Sequence, residues 1–315
     1  MINKTDISPY LNNLSITILW SISSFFINIL PIYFLTNILY AELIVATTSI
    51  FLLSQILTLG FSDSLLKYGN SALIFTFLIL VLCSITAMFF MPYEVVLSGA
   101  GISSMLVIRN YLIKNNQEYK ILKFTFLIIT LRILICYILL NTHYSINQYL
   151  IILYLVPSFL IFLYGFFIMD KSKNQKIKLL IKKDIIFFAI TTVVSRFLFS
   201  YSNRVGIFIL KNQNSYDEIK LFGFLISFLG IYSLVNQSIR NVIIGNISSS
   251  LIKTKELYYK LVDNLKKVII INILLSIPLS CIVNYTFSWD NLKYLNSNIS
   301  ITLFIYLFFL IFGLV

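Results

Sequence analysis

At 315 residues, 59% hydrophobic and only 11% charged, the chain falls far short of the roughly 25% charge that covers a soluble domain. That excludes a water-soluble globular enzyme and places the protein in lipid. The net charge of +12 sits in short segments between apolar runs, where it orients helices in a membrane; it does not build a nucleic-acid surface.

One membrane crossing needs about 20 apolar residues. On that ruler the predicted spans are 14–35, 43–61, 72–91, 95–108, 124–140, 149–169, 185–210, 221–239, 268–285 and 299–315. The first is too long for a signal-peptide core and lacks a small-residue cleavage site, so it is retained. The fourth is short and rich in small residues (Ser98-Gly99-Ala100-Gly101), which predicts close helix packing in place of lipid exposure. Pro31, Pro157 and Pro278 fall inside spans, where neighbouring helices or water must take up the carbonyls they free. Residues 170–184 form the longest charged linker and carry six lysines between its first aspartate and Asp184. These lysines either set topology or also hold anionic headgroups. The last run reaches Val315 with no polar flank, and a missing C-terminal part is expected.

With the N-terminus cytoplasmic, 18 of the 24 Lys and Arg fall in inside segments. Three (Lys211, Lys220, Lys293) fall outside, and Arg132, Arg196 and Arg204 lie within spans. That alternation predicts an all-α integral membrane protein of about ten spans, with its N-terminus inside. Ionisable groups at membrane depth are costly and mark functional sites. At about 100° per residue, Thr192, Arg196, Ser200, Asn203 and Arg204 share one sector of the seventh span, predicting a helix with one wall facing a wet cavity. Arg132, mid-way along the fifth span, either snorkels toward Lys123 or lines the same cavity. Glu42, Asp63 and Glu94 fall at span ends, so no carboxylate is expected at depth. A cavity holding arginines and no acids suits an anionic substrate.

Catalytic chemistry finds no support. The only histidine, His143, lies in a short loop, and no buried His, Ser/Lys or paired-carboxylate set comes into register. Cys83, Cys136 and Cys281 lie far apart inside apolar runs, with neither disulfide nor metal spacing. No cofactor is expected.

The segment from Tyr33-Phe34-Leu35-Thr36-Asn37 to Gly60-Phe61-Ser62-Asp63-Ser64-Leu65-Leu66-Lys67-Tyr68-Gly69 resembles the first two spans of lipid-linked oligosaccharide (O-antigen) flippases. These belong to the multidrug/oligosaccharidyl-lipid/polysaccharide exporter superfamily. Asn203-Arg204 stands where that family often has Asp-Arg, and Phe222-Gly223-Phe224 through Asn246-Ile247-Ser248 is similar to its eighth span. Asn replaces the usual Asp at 203, and Gly245-Asn246 stands in place of a common Pro-Ser pair.

The resemblance implies two pseudo-symmetric lobes around a central cavity. They would be an N-terminal six-helix lobe over residues 1–169, the basic linker 170–184, and an incomplete lobe of four helices over 185–315. It further implies a flippase of the bacterial cytoplasmic membrane that moves an undecaprenyl-diphosphate-linked oligosaccharide for surface polysaccharide synthesis. Its implied partners are that substrate, membrane lipids and other polysaccharide-assembly membrane proteins, with no nucleic acid. A drug/cation antiporter of the same superfamily and a membrane-embedded polymerase or transferase are the alternatives.

Overall fold

Apolar runs of this length close their own backbone hydrogen bonds because lipid offers no other partner. The computed structural model describes residues 4–227 apart from 69–71, 116, 118, 143–144, 169–182, 203, 221 and 224–225. The described residues hold α1 (Lys4–Ile29), α2 (Asn37–Ile56), α3 (Phe61–Tyr68), α4 (Leu73–Met88), α5 (Tyr93–Lys114) and α6 (Tyr119–Leu140). They continue with α7 (Ile146–Leu150), α8 (Val156–Ile168), α9 (Lys183–Ser202) and α10 (Val205–Asn212). A 3₁₀ turn, Leu30–Tyr33, ends α1, and a π-helical turn, Ile151–Leu155, joins α7 to α8. By internal contacts the chain divides into Met1–Ser250 and Leu251–Val315, and the second unit lies wholly outside the described residues. So do the linker 170–182, His143, Asn203, Cys281, Pro278, the last two predicted spans and most of the eighth.

Among the described residues, five helical stretches are long and apolar enough to cross a membrane: Asn37–Ile56, Tyr93–Lys114, Tyr119–Leu140, Ile146–Ile168 and Lys183–Ser202. Leu19–Tyr33 and Leu73–Met88 are apolar but shorter. Helices thus stand where the first seven apolar runs predicted them. Their outward faces are apolar: Leu78, Leu82 and Ile85 on α4, Leu127 and Leu134 on α6, Phe159 and Phe167 on α8, and Phe187 and Leu198 on α9 are all exposed. Faces of that extent on several helices suit lipid, not water.

α5 is the central post. It packs against α2, α3, α4 and α8 and is buried along nearly its whole length. Small residues allow this. A Cβ on Gly99 would meet the Ile50 carbonyl oxygen of α2 at 3.4 Å, and one on Gly101 would meet Leu155 Cδ1 of the π turn at 3.1 Å. Ser103 donates to the Ser54 carbonyl of α2 at 3.0 Å. The small-residue run therefore serves the close packing the sequence predicted. The predicted boundary at 108 is too short, however. α5 continues to Lys114, so Arg109, counted above in an inside loop, is a buried helical residue.

Both described in-span prolines have their freed carbonyls taken by side chains from other helices. In an α-helix each N–H serves the carbonyl four residues back, and proline has no N–H. Pro31 leaves Ile27 O, which accepts from Tyr149 Oη at 2.8 Å. Pro157 leaves Leu153 O, which accepts from Arg132 Nε at 2.5 Å.

Ser145 starts α7 with a reciprocal cap: its Oγ accepts from Gln148 N, and Gln148 Oε1 accepts from Ser145 N. Replacing Ser145 with Ala is expected to cost about 1 kcal/mol. Faster hydrogen exchange at the first amides of α7, with other helices unchanged, is the check.

A candidate anion site at a broken seventh span

The seventh apolar run was predicted as one helix over 185–210. It is instead two: α9 ends at Ser202 and α10 begins at Val205, with Arg204 at the N-cap in a non-helical conformation (φ −125°, ψ −9°). A helix start leaves N–H groups of α10 without intrahelical partners, and the helix dipole favours negative charge there. Discontinuous helices of this kind hold charged groups of substrates in transporters.

α9 lies on α2 and α3. Its inward face carries buried Ile185, Ala189 and Thr192, then Arg196, whose side chain is 12% exposed. The opposite face (Phe187, Ile190, Val194, Leu198, Tyr201) is exposed and apolar. The polar sector predicted to face a wet cavity thus turns toward α2 and α3 along its first half. Ser200, near the break, is half-buried.

The three arginines have different surroundings. Arg196 Nη1 pairs with Asp63 Oδ2 at 2.7 Å. Arg204 is half-buried with its guanidinium carbon 5.0 Å from the centre of the Phe51 ring, and among the described residues it makes no ion pair. Arg132 is fully enclosed on α6. Besides Leu153 O, it donates from Nη1 to Ser23 Oγ at 3.1 Å and Ser24 Oγ at 3.3 Å. Its guanidinium also lies over Trp20 and Tyr154, 4.4 and 4.8 Å from the ring centres. This geometry is that of an internal staple joining α1, α6 and the π turn, and Arg132 does not snorkel to a surface.

Arg204 and Arg132 are nevertheless linked. Phe51 meets Tyr154 edge-on, with centroids 6.0 Å apart and ring planes at 89°. The order is Arg204, Phe51, Tyr154, Arg132, with each cation over one ring of the aromatic pair.

The residue that sequence reasoning missed is Asp63. Hydropathy placed it at the end of the second span. The chain instead turns at Leu57–Gly60, with Leu59 (φ 44°) and Gly60 (φ 76°) in the left-handed region, and re-enters helix as α3. Asp63 is then 2% exposed, so this span-end carboxylate is enclosed by the protein. Around it, Thr58 and Ser62 share a hydrogen bond at 3.1 Å, and Asn110 Nδ2 donates to Ser62 O at 2.9 Å. The available signal was Gly60 followed by Ser62-Asp63-Ser64, a turn that leads into further helix, not out of the protein.

Among the described residues, no group of three or more His, Cys, Asp and Glu side chains comes together. Compared with family models, with curated proteins and with solved structures, the chain matches none.

Proposed function

We propose that this chain is a membrane transporter that moves an anionic, lipid-linked oligosaccharide across a bacterial cytoplasmic membrane by alternating access. In this reading the N-terminus is cytoplasmic, about ten spans form two lobes, and the carried group is a polyprenyl diphosphate. The observation that carries it is the break in the seventh span. Arg204 stands at the N-terminus of α10, over Phe51, with no carboxylate partner among the described residues. A phosphate there would meet a guanidinium suited to its oxygens and the N–H groups of a helix start. The resemblance described above, and the alternation of loop charge, point the same way.

A drug/cation antiporter is the second reading, and Asp63 favours it, because such transport needs an acid enclosed by the protein. Its pairing with Arg196 weighs against that reading, since a neutralised carboxylate offers a cation little. The test uses liposomes holding the full chain and a fluorescent polyprenyl-diphosphate oligosaccharide. Arg204→Gln is expected to slow transfer between leaflets at least tenfold, which corresponds to about 1.4 kcal/mol, with unchanged insertion and thermal midpoint. Wild-type transfer rates in that variant, or transfer of organic cations by the unaltered protein, would overturn the reading.

A further inference from the structure

We infer that the seam between α6 and α8 holds one small anion of the halide class, bound by Arg132 Nη2 and the hydroxyls of Thr125 and Ser158. This site is separate from Arg204 and does not depend on what the protein carries.

Arg132 is fully enclosed, and its hydrogen bonds go to neutral acceptors, Leu153 O, Ser23 Oγ and Ser24 Oγ. Among the described residues it makes no ion pair. Its titratable neighbours are Cys136, Tyr149 and Tyr154, and each keeps its proton. Tyr154 Oη donates to Asn28 Oδ1 and Tyr149 Oη to Ile27 O, both at 2.8 Å. With the Tyr149 proton committed, the 3.1 Å contact between Cys136 and Tyr149 has the thiol as donor. A guanidinium in a protein is always charged. One positive charge is therefore enclosed with no counter-charge from these side chains, a costly arrangement unless an anion supplies it.

Three buried donor atoms on this seam have no hydrogen-bond partner among the described residues: Arg132 Nη2, Thr125 Oγ1 and Ser158 Oγ. Buried hydroxyls elsewhere in the bundle close onto the carbonyl one turn back. Thr76 donates to Ala72 O, Ser84 to Leu80 O and Ser103 to Gly99 O, at 2.7, 2.7 and 2.9 Å. Thr125 and Ser158 are as deeply buried and do not, which leaves both hydroxyls able to donate to a ligand.

Register brings the three groups to one level. α6 and the stretch Ile146–Ile168 are antiparallel neighbours, aligned by Cys136 against Tyr149 and, four residues on in each, by Arg132 against Leu153. Continued by the same step, that register sets Ser158 beside the turn Thr125–Ile128 of α6. Thr125 lies two turns before Arg132 on the same face. Long helical side chains lean toward the helix N-terminus, so the Arg132 guanidinium leans toward Thr125 and Ser158. Ile128, Ile129 and Ile161 pack in this layer with Trp20 and Met105. An apolar wall with few donors suits a single weakly hydrated charge such as chloride. A multiply charged oxyanion would need more donors and bring excess charge, and a water molecule would meet the donors but leave the charge.

The test uses the full chain in detergent, exchanged into gluconate and titrated with chloride at constant ionic strength. Equilibrium dialysis with radioactive chloride is expected to show about one saturable ion per chain, and the thermal midpoint to rise by about 5 °C at saturation. Ser158→Ala keeps the arginine and is expected to weaken chloride binding about tenfold, a loss typical of one hydrogen bond to a charged group. Arg132→Met is expected to abolish both the binding and the chloride dependence of the midpoint. Should that variant fold poorly, Thr125→Val with Ser158→Ala removes two of the three ligands and leaves the bonds of Arg132 to Leu153, Ser23 and Ser24 intact. Absence of chloride binding in unaltered protein overturns the inference and leaves water at these donors. So does full chloride binding in the Thr125→Val, Ser158→Ala double variant. Binding abolished by Arg204→Gln but kept by Ser158→Ala overturns it too, because the ion would then lie at the α9–α10 break.

Discussion

Replacing Arg132 with alanine is expected to destabilise the protein by about 4 kcal/mol and to lower its thermal midpoint in detergent by about 10 °C. The buried carbonyl of Leu153, already without its proline donor, would lose its partner, at about 1–3 kcal/mol. The vacated space would add a cavity term, since large-to-small changes in packed interiors cost about 2–5 kcal/mol. Two cation–π contacts, each about 2 kcal/mol when desolvated, would go as well. Against these losses stands the relief of no longer burying a guanidinium.

That relief makes the choice of substitution informative. Arg132→Met keeps the volume and drops the charge, and is expected to cost about 1–3 kcal/mol, the unpaired carbonyl alone. Arg132→Lys keeps the charge but lacks the fork that reaches Leu153 O, Ser23 and Ser24 together. It is expected to be as damaging as alanine. Midpoints falling in the order Met above Ala and Lys identify the residue as an internal staple. An unchanged midpoint in Arg132→Ala with lost transport would instead place it among the substrate contacts.

Gly60→Val is the second large effect. Gly60 lies at φ 76°, where a side chain costs about 1–2 kcal/mol in backbone strain. A Cβ there would also run into the carbonyl oxygen of Ala189, a backbone atom of α9 that cannot swing aside. α9 must therefore shift away from α3. The expected loss is about 3–5 kcal/mol, read as a drop of about 10 °C in midpoint. The Asp63–Arg196 pair bridges the same two helices, so its displacement should release accessible Arg196, detectable by guanidinium-reactive labelling. Wild-type labelling and midpoint together would show that α9 does not rest on this turn.

The helices of the first seven apolar runs were legible because apolar length is a local property, and the burial of α5 was legible because its small residues are. The prolines announced that carbonyls would be freed. They could not announce that Tyr149 and Arg132 would answer them, because those partners come from elsewhere in the chain. Arg132 was legible as costly, but its role depends on Trp20 and Tyr154, which only packing brings beside it. Asp63 was lost for a different reason. A hydropathy window ends where polar residues begin, and Ser62-Asp63-Ser64 closed the window although the helix resumes. The break at Arg204 was likewise hidden, since apolar residues continue on both sides of it.

The character of α5 bears on how such a protein is made. With Glu94, Arg109 and Asn110 in its sequence and several Ser and Gly between them, this helix is a poor candidate for sideways release into lipid from the insertion machinery. Charged residues near a helix centre disfavour that step by about 2.5–3.5 kcal/mol each, easing toward the ends. Its neighbours α2 and α4 are more uniformly apolar and emerge from the ribosome first. α5 packs against α2, α3 and α4, made before it, and against α8, made after it, so its burial is complete only once helices synthesised on both sides of it are in place.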